Sequence, residues 1–212
     1  MSDLGEKSLL ERIKFMGQAY AFGATKYEED ETIKNEINLL NKDIYEHKNE
    51  KIRTLYEAGK KWSLEYFETI YKKLGTKFDF YFFESEVGEI GKRLVEANKD
   101  IFEESEGAVV FKGDKYGLHT RVFLNSLGLP TYEAKELGLA KAKYDKFAYD
   151  WSVVVTGNEI NEYFKVLLKA MSLVFPELAV KTTHVGHGML RLKSGKMSSR
   201  TGKVVTGETL IA

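Results

Sequence analysis

Residues 151–185 run WSVVVTGNEINEYFKVLLKAMSLVFPELAVKTTHV, which places a strand, a helix and a second strand within the length of one crossover unit. Trp151 to Thr156 is an apolar run of the kind that a parallel sheet buries. Gly157-Asn158-Glu159 ends it, and helical spacing follows from about Asn161 to Leu173. Pro176 stops that helix, because proline lacks the backbone donor that the next turn needs. Val180 to Val185 then reads as the second strand. Strand, helix and strand in this order predict a parallel sheet, and hence an α/β fold.

Upstream of this unit, Gly128-Leu129-Pro130 breaks the chain, and Thr131 stands where it could cap a helix carrying Tyr132, Lys135 and Glu136 in its first two turns. Ala108–Phe111 and Arg121–Leu124 are short β-rich runs, Val87–Ala97 has helical spacing, and Phe78, Phe80 and Phe82 alternate as in a strand. Further back, Ile52, Leu55, Tyr56, Ser63, Phe67, Ile70, Tyr71 and Leu74 mark one face of a long helix that Gly75 ends. Ile33, Ile37, Leu40 and Ile44 mark a shorter one within Glu31–His47, so two antiparallel helices are expected. Gly5, Gly17 and Gly23 make Met1–Thr25 read as a weakly structured lead-in or a cut end. The organisation expected is therefore 1–25, a lead-in; 26–127, a helical and α+β insertion-like segment; and 128–212, part of a Rossmann-like nucleotide fold. Trp62, Phe67, Phe82, Trp151 and Phe164 are the expected core.

Composition narrows the function classes. The 212 residues are 43% hydrophobic and 13% aromatic, enough for one sizeable core. Thirty-two basic residues balance thirty-two acidic ones, so no global field recruits nucleic acid, and any RNA contact is local. With no cysteine, disulfides, thiolate metal sites and a Cys nucleophile are excluded, and a reducing compartment, the cytoplasm, is expected. No apolar run is long enough to span a membrane, and no metal-ligand cluster is visible.

The richest chemistry lies in Gly195-Lys196-Met197-Ser198-Ser199-Arg200-Thr201-Gly202. Two cations four residues apart, two hydroxyls between them and flanking glycines suit a mobile loop that folds over a triphosphate and neutralises the leaving pyrophosphate. The same composition also describes an ordinary solvated loop. Its place after a hairpin-like pair of strands, Thr182–Val185 and Met189–Leu192, favours the functional reading.

Lys196-Met197-Ser198-Ser199-Arg200 resembles the KMSKS signature of class I aminoacyl-tRNA synthetases, in the variant of the arginyl-tRNA synthetases. The resemblance continues through Trp62–Leu74, Phe78-Asp79 with Phe83–Glu86, Gly107-Ala108, Gly128–Leu139, Val153–Phe164 and Gly188–Leu192, in that order. It implies that Lys196, Ser198, Ser199 and Arg200 are catalytic, and that Lys196, Met197, His184 and Gly188 contact ATP. It also implies that Tyr132 and Glu136 bind the arginine side chain, since a carboxylate accepts a guanidinium in two parallel hydrogen bonds. Two departures stand out. Ile160, at a candidate arginine-binding position, stands where the family usually has Gln, so a polar contact to substrate or to a neighbouring side chain is lost, and Tyr163 stands where His is frequent.

His184-Val185-Gly186-His187 spells a second class I signature, HIGH, but in the wrong context. That motif belongs far upstream at the start of a helix, whereas this one sits just before the lysine loop. The resemblance therefore implies that the HIGH half and a tRNA-binding domain precede these residues and that a helical anticodon-binding domain follows Ala212. The chain is then the C-terminal half of a catalytic domain, inactive by itself, from a monomeric ligase that uses L-arginine, ATP with Mg²⁺ and tRNA(Arg). A class I synthetase for another amino acid, a non-catalytic nucleotide-, RNA- or partner-binding module, and a scaffolding role for 26–127 remain alternatives at this stage.

Overall fold

The computed structural model describes residues 2–189 and 211 and is a mixed α/β structure. Two compact units meet in the sequence at Asp79/Phe80: the described residues up to Asp79, and Phe80–Met189. The boundary expected at 127/128 falls inside the second unit, where Phe123 and Leu137 share one core.

The first unit is helical: α1 (Ser2–Gly5), α2 (Leu9–Glu29), α3 (Glu31–Glu46) and α4 (Glu50–Leu74). Met1–Thr25 was expected to be weakly structured, yet most of it lies in α2. A capping box starts that helix, with the Ser8 hydroxyl accepting from Glu11 N at 3.4 Å and the Glu11 carboxylate accepting from Ser8 N at 2.9 Å. Gly17 and Gly23 do not break it. Asp30 caps α3 through Thr32 N at 2.8 Å, Asn49 caps α4 through Lys51 N at 3.1 Å, and Gly75 closes α4 at φ 67°. Instead of two antiparallel helices there are thus three long ones. No residue of the three is fully buried, and Phe67, expected in the core, is 46% exposed.

Phe78–Phe82, which spans the boundary between the units, is irregular chain where a strand was expected. Among the described residues no strand pairs with it, and Phe78 lies edge-on to Tyr71 at 4.8 Å while Phe80 lies 6.3 Å from Phe147. Next come α5 (Glu84–Ala97), then β1 (Phe102–Ser105), β2 (Ala108–Phe111) and β3 (Arg121–Leu124), an antiparallel sheet in that order. β1 was not foreseen. Glu106 and Gly107, at φ 51° and 78°, form a two-residue turn that pairs Ser105 with Ala108 and thereby recruits a strand holding only one apolar residue.

A turn closed by the Asn125 side chain, which accepts from Leu127 N and Leu129 N at 3.0 Å each, leads to α6 (Tyr132–Lys146). Thr131 stands at the N-cap position without capping. Its hydroxyl instead donates to Val122 O at 2.7 Å, fastening the start of α6 to β3. The crossover unit follows as β4 (Ser152–Gly157), α7 (Asn161–Val174), α8 (Pro176–Lys181) and β5 (Thr182–His187). β4 and β5 are parallel, with Ser152 opposite Thr182 and Gly157 opposite His187. Pro176 both ends α7 and opens α8, so the second strand begins at Thr182 and not at Val180.

The core of this unit joins Phe102, Phe111 and Phe123 from the antiparallel sheet to Leu137 of α6, to Phe164, Leu167 and Met171 of α7, and to Leu178 of α8. Phe164, expected there, is 2% exposed, whereas Trp151 is 67% exposed. β4 is not buried on both faces: Val154 packs against the core, and Val153 and Val155 are exposed. Two glycines let α5 and α6 cross closely. A Cβ at Gly91 would lie 1.9 Å from Ala134 O, and one at Gly138 2.2 Å from Val87 O. Gly91→Ala and Gly138→Ala should each lower stability by at least about 2 kcal/mol in urea melts, because backbone must move to admit the methyl group. Gly23→Ala, with nothing within 4 Å, should be neutral or slightly stabilising. Equal midpoints for all three would contradict a backbone-limited crossing.

Candidate functional site

Both parallel strands end at one rim, with Gly157 and His187 in register. In open α/β sheets the carboxyl ends of the strands are where ligands bind. α7 starts at this rim after the tight turn Asn158–Ile160, and the amino end of α6 lies beside it. The contact between them is aromatic: the Tyr132 ring meets Phe164 edge-on at 6.4 Å.

Phe164 in turn stacks on His184 of β5, with ring centroids 3.8 Å apart and planes 3° from parallel. The His184 Nε2 lies 2.7 Å from the Thr156 hydroxyl of β4, so the imidazole bridges the two strands just below the rim. Burial holds its pKa below the ordinary histidine value, because the charged ring would lose water without gaining an anion.

On α6, Tyr132 and Glu136 are one turn apart and both half-buried. The Tyr132 hydroxyl faces the Glu136 carboxylate. Burial pushes the phenol well above the ordinary tyrosine range, and the neighbouring carboxylate adds to the shift. Glu136 is also raised, first by burial and then by Glu84, against the opposing pull of the Lys143 ammonium and the Tyr132 hydroxyl. A desolvated acid next to a neutral phenol is a receptor for a cation that brings its own hydrogen bonds, and a guanidinium supplies them.

Tyr132 and His184, proposed from different parts of the sequence, thus meet on Phe164, and Glu136 stands one turn along α6 from Tyr132. Ile160 joins them only in part. It packs half-buried against the core and presents no hydrogen-bonding group where an amide was the expected contact. Gly188 lies just past the rim, its carbonyl 2.8 Å from His187 Nδ1. Lys196, Met197, Ser198, Ser199 and Arg200 lie outside the described residues. The His184–His187 stretch lies within β5 and not at the start of a helix, consistent with its rejection as the HIGH signature. Two neighbours were missed. Lys143 of α6 donates to the Ser152 hydroxyl at 3.0 Å, and Arg121 lays its guanidinium over Tyr163 at 3.7 Å. Neither belongs to a motif, and only the packing of α6 and β3 reveals them.

Comparison with known proteins points the same way. The model of the family described as class I tRNA synthetases (R), catalytic domain, matches residues 5–212. An arginine–tRNA ligase of Amoebophilus asiaticus is 32% identical over 170 residues, 79% of this chain and 28% of that protein. One from Clostridium acetobutylicum is 29% identical over 203 residues, 94% of this chain and 36% of that protein. Among solved structures, the arginyl-tRNA synthetase of Plasmodium falciparum superposes with a TM-score of 0.57 at 15% identity, over 68% of this chain and 26% of that one. The chain therefore spans about a third of the length of the relatives it matches.

The stacked histidine gives a direct test. His184 should titrate below the reference value of about 6.5 in an NMR pH series, and Phe164→Ala, by admitting water, should move it back up. Since the fold prefers the neutral ring, His184 should contribute stability that is lost as pH falls below about 6.5. A midpoint at or above the reference value in the unaltered chain would show a solvated ring instead.

Proposed function

The chain belongs to the class I arginyl-tRNA synthetase catalytic-domain family, and from that premise we propose that it supplies the arginine pocket and the lysine loop of an arginine–tRNA ligase. The observation that carries this reading is the half-buried Glu136 beside Tyr132, whose ring meets Phe164 at the start of α7. In this reading, Glu136 takes the guanidinium in a two-pronged contact and Tyr132 packs along the side chain. The amino acid's carboxylate is thereby held towards ATP, where it attacks the α-phosphate and expels pyrophosphate. Lys196 and Arg200, with Ser198 and Ser199 between them, neutralise charge on the departing phosphates, while His184, Gly188 and Met197 line the nucleotide's path. The arginyl group then passes to the terminal ribose of tRNA(Arg).

ATP brings Mg²⁺ with it. Among the described residues no group of three His, Cys, Asp or Glu is placed to hold a metal; Mg²⁺ would enter with the phosphates of ATP and neutralise their charge. No described helix is long and apolar enough to cross a membrane. The reading places the enzyme in the cytoplasm, as a monomer. Ile160 favours a second reading, a non-catalytic module that binds nucleotide or RNA, because it removes a polar contact that substrate selection would use.

Arginine-dependent ATP–pyrophosphate exchange separates the two, run on this chain and on a version extended upstream to include a HIGH element. Exchange in the extended protein with arginine alone among the amino acids supports the ligase. Exchange in neither, with nucleotide still bound, supports the module. Within the extended protein, Lys196→Ala should slow activation with little change in arginine affinity. Glu136→Gln should weaken arginine on the order of 10–100-fold and ATP far less. Equal weakening of both ligands would remove Glu136 from the amino-acid pocket.

A further inference from the structure

Three contacts bring the start of β3 to the same corner of the unit as the candidate pocket. The Thr131 hydroxyl at the head of α6 donates to Val122 O at 2.7 Å, and the residue before Val122 is Arg121, the first of β3. Tyr132 meets Phe164 edge-on at 6.4 Å, and the residue before Phe164 is Tyr163, in the first turn of α7. Arg121 closes the arrangement by laying its guanidinium over the Tyr163 ring at 3.7 Å, both residues being half-buried. A guanidinium keeps its charge at any physiological pH and carries five donors and no acceptor. Packing uses up one edge of this one, since its Nε is sealed from solvent with no hydrogen-bond partner. Among the described residues no carboxylate lies within ion-pair range of Arg121. Glu162, the acid nearby, is already bound to Lys165 at 2.6 Å. That hydrogen bond holds its carboxyl below the usual carboxylate range, and the charges of Lys165, His119 and Arg121 add to the pull.

We propose that Arg121, held on the Tyr163 ring, is a phosphate-binding residue at the edge of the candidate pocket, its terminal nitrogens taking two oxygens of one phosphate group. Stacking on a ring fixes the plane of the fork without using any of its donors. A fork held in one plane matches two phosphate oxygens in parallel, charge-assisted hydrogen bonds, which a flexible ammonium does not. The sign of the charge points the same way. Beside a pocket that takes a guanidinium, an unpaired cation repels the ligand, whereas beside a phosphate it completes a site. Two ligands of a tRNA ligase carry phosphate, ATP and the RNA backbone. The proposal rests on the ligase reading for those two sources alone, because the stack and the unpaired fork are there whatever Glu136 binds.

The sealed Nε–H makes Arg121 its own reporter. In the full chain labelled with heavy nitrogen, its side-chain NMR resonance is identified by its absence from Arg121→Lys. ATP and a short single-stranded RNA of cytidine and adenosine are titrated against it at low salt, with the free nucleosides as phosphate-free controls. The resonance should move with a phosphate ligand and stay put with the nucleosides, which could only stack. Movement with ATP alone assigns the site to the nucleotide, with RNA alone to the RNA backbone, and with both to phosphate from either source. Arg121→Gln should weaken the ligand that moves the resonance about tenfold and lower its salt slope by about one. Lys169→Gln, which removes an ammonium held over Tyr116 at 4.3 Å instead, should cost far less. Tyr163→Leu, which removes the platform and keeps the charge, should give an intermediate loss that Tyr163→Phe does not show. A resonance unmoved by either phosphate ligand, or moved as far by the nucleosides, overturns the proposal, and so do equal losses in Arg121→Gln and Lys169→Gln. If Arg121→Gln does not fold, the titration of the unaltered chain decides. Arginine is absent throughout, so failure of the arginine pocket would leave these readings as they are.

Discussion

The site depends on the space that two hydrogens occupy. Where α5 crosses α6, Gly91 and Gly138 leave so little room that any side chain would strike the opposing backbone. That contact sets the depth of α6 against the unit, while the Thr131 hydroxyl sets its starting point on β3. With depth and starting point both fixed, the first two turns can arrive only beside Phe164. The position of Tyr132 and Glu136 is therefore a packing result before it is a chemical one. The glycines that secure it are more than 40 residues apart in sequence in one case and on the same helix as the site in the other, and neither touches a ligand in the proposed reaction.

The chemistry that this packing holds on one face of α6 is costly to leave unsatisfied. A half-buried carboxylate, a desolvated phenol and a desolvated ammonium each lose hydration without being fully repaid by one another. A fold selected for stability alone would fill the same face with leucine. Keeping charge there makes sense if a cation completes the arrangement, which is how polar groups that cost stability come to mark functional ground.

Much of this was readable from the residues because it depends on short-range physics. The strand-helix-strand order of 151–185 survives in the structure since apolar runs and Pro176 act locally. Tyr132, Glu136 and His184 could be singled out by resemblance, and the structure brings Tyr132 and His184 onto one phenylalanine. What escaped depends on partners distant in sequence. β1 exists because a two-residue turn offers its four residues an edge to pair with, and Phe78–Phe82 fails to become a strand because no edge is offered. Met1–Thr25 was misjudged by weighing its glycines above the Ser8–Glu11 capping box, although the box was present in the sequence. Lys143 was invisible for another reason. A lysine seven residues beyond a glutamate is an ordinary helix surface until Ser152 is folded against it.

The two tryptophans fall one to each compact unit. Trp62 of α4 is half-buried beneath the Arg12 guanidinium, 5.1 Å from its ring, whereas Trp151 is largely solvent-exposed and joins β4 to β5 through its indole N–H, which donates to the Thr183 hydroxyl at 2.9 Å. The protein thus has two native fluorophores in different surroundings, one shielded and one open to aqueous quenchers. Iodide extinguishes the second before the first, and loss of the parallel pairing frees its indole. Intrinsic emission, resolved by quencher access, can therefore follow the melting of the helical unit and of the sheet unit as separate events in one unlabelled sample.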